Sequence, residues 1–219
     1  MNRIQYFVFS FLFIALICSN NLYAQVVSGS INGYDYVDLG LPSGLKWATC
    51  NVGANRPSDY GNYYAWGETK TKSSYTQDNS KTYNNDTYNY DIKSNSSLDA
   101  ATANWGSSWR MPTEKEFQEL LDNCTWTWTK QDGHDGYNVA SKKNGNSIFL
   151  PAAGGRRDTS LVLAGDYLYY WSSTPFESFP KDSYGLCLSY GDSLRMMSIN
   201  RSCACTIRPV TERKVRLSK

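Results

Sequence analysis

The chain has 219 residues, a formal net charge of +2 and an aromatic content of 15%. That charge excludes the strong positive field selected by nucleic acid or an anionic membrane surface, and the length suits one domain with a real core. A single histidine, His134, confines every histidine-based triad or dyad to one position.

The first residues are Met1-Asn2-Arg3. An apolar run over residues 4–18 follows, interrupted only by Gln5 and Ser10, and the segment closes in a polar stretch ending at Ala24. This is the layout of a secretory signal peptide, with cleavage expected after Ala24. The run falls short of the roughly 20 apolar residues of a membrane span. No later run is longer, so no transmembrane helix is expected after cleavage. Lipid attachment at Cys18 is the weaker alternative, because bulky Ile17 stands where such signals want a small residue. The expected location is secreted or at the cell surface.

Residues 25–33 read as a flexible lead and 34–210 as the domain. The alternation from Tyr34 to Leu39 predicts a strand, residues 41–44 a turn, and residues 45–52 a second strand. Residues 60–67, aromatic and punctuated by glycine, read as a strand or a close-packed loop. Residues 69–97 are polar with almost no aliphatics. They are expected as a long surface loop or a partly disordered insertion. A short helix is expected over 98–104. A better one starts at Thr113, whose spacing to Glu116 is that of a capping box. There Phe117, Leu120, Leu121 and Cys124 repeat at i, i+3, i+4 and i+7.

Beyond Cys124 the period becomes two, with Trp126 and Trp128 between threonines. Residues 131–136 read as a turn, and Asn144-Gly145 as a hairpin turn of type I′. Later strands are expected near 167–172, 184–190, 194–199 and 203–210, and residues 211–219 as a frayed basic tail. The fold class is α+β, a single domain of mostly antiparallel hairpins with one or two short helices.

Five cysteines follow the leader: Cys50, Cys124, Cys187, Cys203 and Cys205. Export favours disulfides, and an odd number leaves at least one thiol free or paired in trans. Cys203 and Cys205 share a face of one strand and make poor mutual partners. Cys187 with either of them, and Cys50 with Cys124, are the plausible pairs. No zinc-type ligand spacing occurs, and neither a metal nor a cofactor is expected. Asp132 and Asp135 flank His134 in a glycine-rich turn whose first reading is solvated surface. Glu68, Glu116 and Asp166 are the carboxylates a hydrolase would draw on. Gly154-Gly155-Arg156-Arg157 lacks the ending of a phosphate loop and reads as a solvated loop. Arg201 and Arg208 lie near the Cys203/Cys205 thiols in sequence and are the cations that would activate them.

Several strings then stand out together: Tyr36-Val37-Asp38-Leu39-Gly40-Leu41-Pro42-Ser43-Gly44-Leu45-Lys46-Trp47-Ala48, Asn51-Val52-Gly53-Ala54, residues 60–68 (YGNYYAWGE), 109–117 (WRMPTEKEF), 170–174 (YWSST) and 207–210 (IRPV). With them the chain resembles the Fibrobacter succinogenes major paralogous domain family over residues 34–210. The resemblance implies a C-type-lectin-like fold in which the N- and C-terminal strands pair and the late strands carry a loop-rich ligand face. It implies no specific activity. The Glu-Pro-Asn, Gln-Pro-Asp and Trp-Asn-Asp strings of calcium-dependent sugar binding are missing, so no calcium–sugar site is implied.

Aromatic residues carry the binding signal. Trp47, Trp105, Trp109, Trp126 and Trp128 are expected in the core. Tyr169, Tyr170, Tyr184 and Tyr190, with Asp192 and Arg195, are expected on the ligand face, since tyrosine among small polar residues suits contact loops. The expectation is a non-catalytic module binding an extracellular glycan or protein. A structural surface or appendage component is the alternative; a carbohydrate hydrolase or a thiol oxidase ranks lower.

Overall fold

The computed structural model describes residues 26–191 and 195–212. The segment read as a signal peptide (including Cys18), Asp192 and the basic residues beyond Glu212 lie outside that range. Strands β1 (Gly29–Ile31) and β2 (Tyr34–Asp38) form a hairpin across Asn32-Gly33, whose φ angles are +53° and +81°. Two positive φ values in a two-residue loop are what a type I′ turn requires. The expected flexible lead therefore contains a strand. β3 (Lys46–Ala48) pairs with β2, and the last strand, β14 (Val210–Thr211), pairs with β3. The first three strands and the last thus share one antiparallel sheet in the order β1-β2-β3-β14. Residue 211, assigned from sequence to the tail, is in that strand, and Glu212 pairs with Arg110 at 2.8 Å.

The second expected strand ends early, at Ala48, and the aromatic segment 60–67 contributes only β4 (Tyr64–Ala65). Residues 66–99 hold no named helix or strand, yet the stretch is anchored rather than loose. Tyr75, Thr82, Tyr83, Ile92 and Leu98 are buried. The Thr82 hydroxyl donates to the Trp66 carbonyl at 2.7 Å, and the Tyr75 hydroxyl to that of Tyr63 at 2.6 Å. Sparse apolar residues set at intervals dock a segment that could form no core alone.

Helix α1 (Ala100–Trp105) starts on Asp99, whose carboxylate accepts from the Thr102 backbone at 3.0 Å. Helix α2 (Glu114–Asn123) carries the expected capping box, Thr113 and Glu116 each accepting the other's backbone N–H. Phe117, Leu120 and Leu121 bury its apolar stripe. The chain then passes into β5 (Cys124–Gln131), β6 (His134–Ser141) and β7 (Ser147–Pro151), an antiparallel meander. The turn between β5 and β6 is shorter than expected: Asp132-Gly133 alone, at φ +48° and +86°, so that His134 is a strand residue opposite Gln131. At Asn144-Gly145 only the glycine has positive φ, so that hairpin closes through a longer loop than a type I′ turn.

Gly154–Arg157, expected as a loop, enters the hairpin β8 (Gly155–Arg157) and β9 (Ser160–Val162). β10 (Tyr167–Pro175), β11 (Asp182–Ser189) and β12 (Met196–Asn200) form an antiparallel sheet, while β13 (Ala204–Cys205) joins β4 and β8. The period of two sorts β10 and β11 between two cores. Leu168, Tyr170, Leu186 and Leu188 face a core shared with α2, Trp47 and the β5–β7 sheet. Trp171, Tyr169 and Cys187 face a second core around Trp66, Trp105 and Trp109. The described residues thus form a mostly antiparallel domain of small sheets with two short helices. No helix among them is long and apolar enough to cross a membrane.

Candidate functional site

The ends of β5, β6, β10 and β11 meet around an open groove of about 540 Å³. Trp128, Tyr167 and Tyr190 supply its rings; Asp135 and Asp166 supply its carboxylates. Trp128 lies directly across from Tyr137 in the β5–β6 ladder, ring edge to face at 5.0 Å. The Tyr137 hydroxyl donates to the Ser189 carbonyl at 2.9 Å, which ties this sheet to the end of β11. Tyr190 follows at once, its ring 6.0 Å from Trp128 and 75% exposed. Asp135 is bound to Lys130 opposite it at 3.1 Å. Asp166 is exposed and enters from the turn before β10, where Leu163 is held at φ +57°. Tyr60 stands close behind, its ring 5.0 Å from His134. Burial, then the charges of Asp135 and Asp166, push its phenol above its ordinary range.

The residues expected on the ligand face are dispersed. Tyr190 lines the groove. Tyr170 does not: it is fully buried, and its hydroxyl donates to the Pro151 carbonyl at 3.1 Å and accepts from Asn51 at 3.2 Å. Its neighbour in the alternation, Tyr169, faces the opposite way and lines a separate apolar cavity. Tyr184 packs its ring on Phe176 at 4.8 Å, toward the other end of β11. Arg195 is exposed just before β12 and does not line the groove, and Asp192 is not described. Conversely, Trp128 is only half-buried and belongs to the groove rather than wholly to the core. The Trp-Thr-Trp alternation placed Trp126 and Trp128 on one face; it carried no signal that the far end of that face opens to solvent.

Strand order argues against one of the expected disulfides, Cys187 with Cys205. No disulfide joins Cys50, Cys124, Cys203 or Cys205. Tyr169 pairs with Cys187 on one side, while the Tyr169 carbonyl receives the Thr206 N–H on the other at 3.2 Å, so β10 runs between Cys187 and Cys205. Two strand spacings, roughly 9.5 Å, exceed the ~7 Å that a disulfide bridges. Cys124 instead caps α2 inside the first core, where burial raises its thiol to about 11. Burial likewise raises Cys203, and Cys205 well above the ordinary thiol range. The cation beside them is Arg157; Arg201 and Arg208 point elsewhere.

The carboxylates considered for hydrolysis are separately engaged. Glu68 pairs with Lys72 at 2.9 Å, and Glu116 with Arg110 at 2.6 Å. Only Asp166 reaches the groove. Among the described residues no group of three or more His, Cys, Asp or Glu is arranged to hold a metal. The chain matches no family model, no curated protein and no solved structure.

Proposed function

We infer that the protein is an extracytoplasmic, non-catalytic module that binds a glycan in the Trp128–Tyr167–Tyr190 groove. The observation that carries this reading is the convergence of three solvent-facing rings and two carboxylates at one open site. Aromatic faces take the C–H face of a sugar, and carboxylates accept hydrogen bonds from its hydroxyls. Asp135 is already balanced by Lys130, which leaves Asp166 as the groove carboxylate with no ion pair among the described residues. That balance favours a neutral polyol over a multiply charged cationic peptide. Export rests on the leader-like layout of residues 1–24, and a lectin-like ancestry on the ordered strings 36–48, 60–68, 109–117 and 207–210. The shared sheet of first and last strands is consistent with that ancestry.

A glycan array tests the reading. Discrete hits are expected, and the strongest of them should bind at least about tenfold more weakly to Trp128→Ala and to Tyr190→Ala, since a stacked ring contributes on the order of 1–3 kcal/mol by truncation. Tyr184→Ala should bind like the parent. An array without hits, together with binding of a lysine-rich peptide at the same rings, would replace the glycan reading by a cationic one.

A further inference from the structure

Leu163 also lines a second cavity, of about 190 Å³. Val162 stands in its wall on β9, Tyr169 on β10, Ile199 on β12 and Cys205 on β13, with Cys203 just before that strand. The lining is mainly hydrocarbon and sulfur. Gly155 helps keep the space open, since a Cβ there would stand 3.2 Å from the Ala204 carbonyl oxygen and 3.8 Å from the Tyr169 ring. The Tyr167 ring stacks on the Tyr169 ring at 5.9 Å and braces it. An apolar cavity of roughly 150 Å³ is enough to hold benzene, so this one takes a single ring with a short substituent.

Charge around the cavity selects a neutral guest. Among the described residues no carboxylate lines it. Of its two arginines, Arg156 carries its guanidinium over the Tyr63 ring at 5.8 Å, and Arg157 is exposed. Arg157 also lines an adjoining polar hollow, together with the exposed Asp78 and Asp158. A cationic guest at this edge meets Arg157, and an anionic one meets the two carboxylates. Burial raises the Cys203 and Cys205 thiols above their ordinary range, so the sulfurs are uncharged as well. Sulfur and ring faces then discriminate among neutral guests. Sulfur makes favourable contacts with aromatic rings, and a ring gains further by pairing with the face or edge of Tyr169. A saturated ring of the same size gains neither.

We propose that the cavity under the β8–β9 hairpin binds one uncharged aromatic ring, held between Val162, Tyr169, Ile199 and the Cys203 and Cys205 sulfurs. This site is independent of the glycan groove, with which it shares only Leu163.

Benzyl alcohol is the test ligand, titrated into the whole protein at neutral pH and followed by NMR. Saturable shifts are expected at the Val162 and Ile199 methyls, while the Trp128 indole N–H in the groove stays in place, which separates this site from the glycan reading. Cyclohexylmethanol keeps the size and the hydroxyl without the π face and should bind about fivefold more weakly. Phenylacetate and benzylammonium, each bringing a charge to an apolar slot, should bind at least about fivefold more weakly. Val162→Phe should remove binding by filling the cavity, its fold checked by thermal melting; the methyl shifts of the parent protein locate the site even where that variant melts early. No saturation at millimolar benzyl alcohol, equal binding of cyclohexylmethanol, tighter binding of either charged analogue, or shifts confined to the groove overturns the proposal.

Discussion

Two arginines seven residues apart, both fully buried, have opposite surroundings. Arg208 spends every nitrogen. Its Nε donates to Asn51 at 2.8 Å, one terminal nitrogen to the carbonyls of Ala48 and Thr49 at 3.1 and 2.6 Å, and the other to the Phe149 carbonyl at 2.9 Å. Asn51 passes the network on to Tyr60 and Tyr170. One side chain thereby satisfies carbonyls at the end of β3 and in the middle of β7. Arg201 donates only from Nε, to the Asp182 carbonyl and the Ser183 hydroxyl, each at 3.0 Å. Its terminal nitrogens are buried without a hydrogen-bond partner among the described residues, and the guanidinium lies over the Trp66 ring at 4.3 Å. Burial lowers its pKa to about 10. A buried charge is stabilising only where hydrogen bonds replace water. Arg208 meets that condition, and Arg201 depends on a ring face and on the more distant charges of Asp182 and Asp86.

The comparison breaks most sharply at Arg208. Arg208→Met leaves the carbonyls of Ala48, Thr49 and Phe149 and the Asn51 amide oxygen buried without donors. At ~1–3 kcal/mol for each unsatisfied group, a loss of at least about 4 kcal/mol is expected in urea unfolding. A loss under about 1 kcal/mol would mean that water replaces the guanidinium. Tyr170→Phe removes one donor and one acceptor from the same network and should cost about 1–2 kcal/mol. Thr113→Ala, at the head of α2, should cost about 1 kcal/mol by losing the cap, a calibration far from either arginine. Arg201→Met should have the smallest effect, between neutral and about 1 kcal/mol of stabilisation, because it removes an incompletely bonded charge while keeping the stem. Clear destabilisation would show that the Trp66 contact outweighs desolvation.

Acid sharpens the contrast through a third arginine. Arg110 is bound by Glu116 and Glu212. Burial alone would raise the Glu116 carboxyl, but Arg110 and the Thr113 hydrogen bonds hold it below its ordinary value. Because the folded pKa is depressed, its stabilisation is complete above the unfolded value of about 4.3 and drains as pH falls through the folded one. Glu116→Gln should flatten the acid limb of a stability–pH curve. Arg208, with carbonyls and an amide for partners, should show no such dependence there.

Much of the secondary structure was legible because it is written locally. The Thr113–Glu116 box and the Phe117, Leu120, Leu121 stripe mark α2 by themselves, and alternation marks β5, β10 and β11. Punctuation was read less well. Asn32-Gly33 and Asp132-Gly133 make the tight turns, while Asn144-Gly145 does not, because the flanking strands, not the dipeptide, set the loop length. The β8–β9 hairpin escaped notice because Gly154 and Gly155 carry no strand propensity. Their lack of Cβ is instead what lets the backbone pass against the Val162 and Ala204 carbonyls.

The candidate site was legible only in kind. Composition pointed to tyrosine-rich contact surfaces, but neighbouring tyrosines on β10 face different cores, so Tyr170 is buried, Tyr169 lines one cavity and Tyr167 another. Spacing along one strand assigns a side, and only the partners on either side decide whether that side is core, cavity or solvent. The amino-acid sequence alone specified the helix caps and the alternating strands, which depend on residues within a few positions of one another, and the small net charge, which is a sum over the composition. The tertiary structure decided which rings meet Asp135 and Asp166, why Cys187 and Cys205 stay apart, and which arginine is satisfied, because each depends on segments brought together across long loops, where no local pattern reaches.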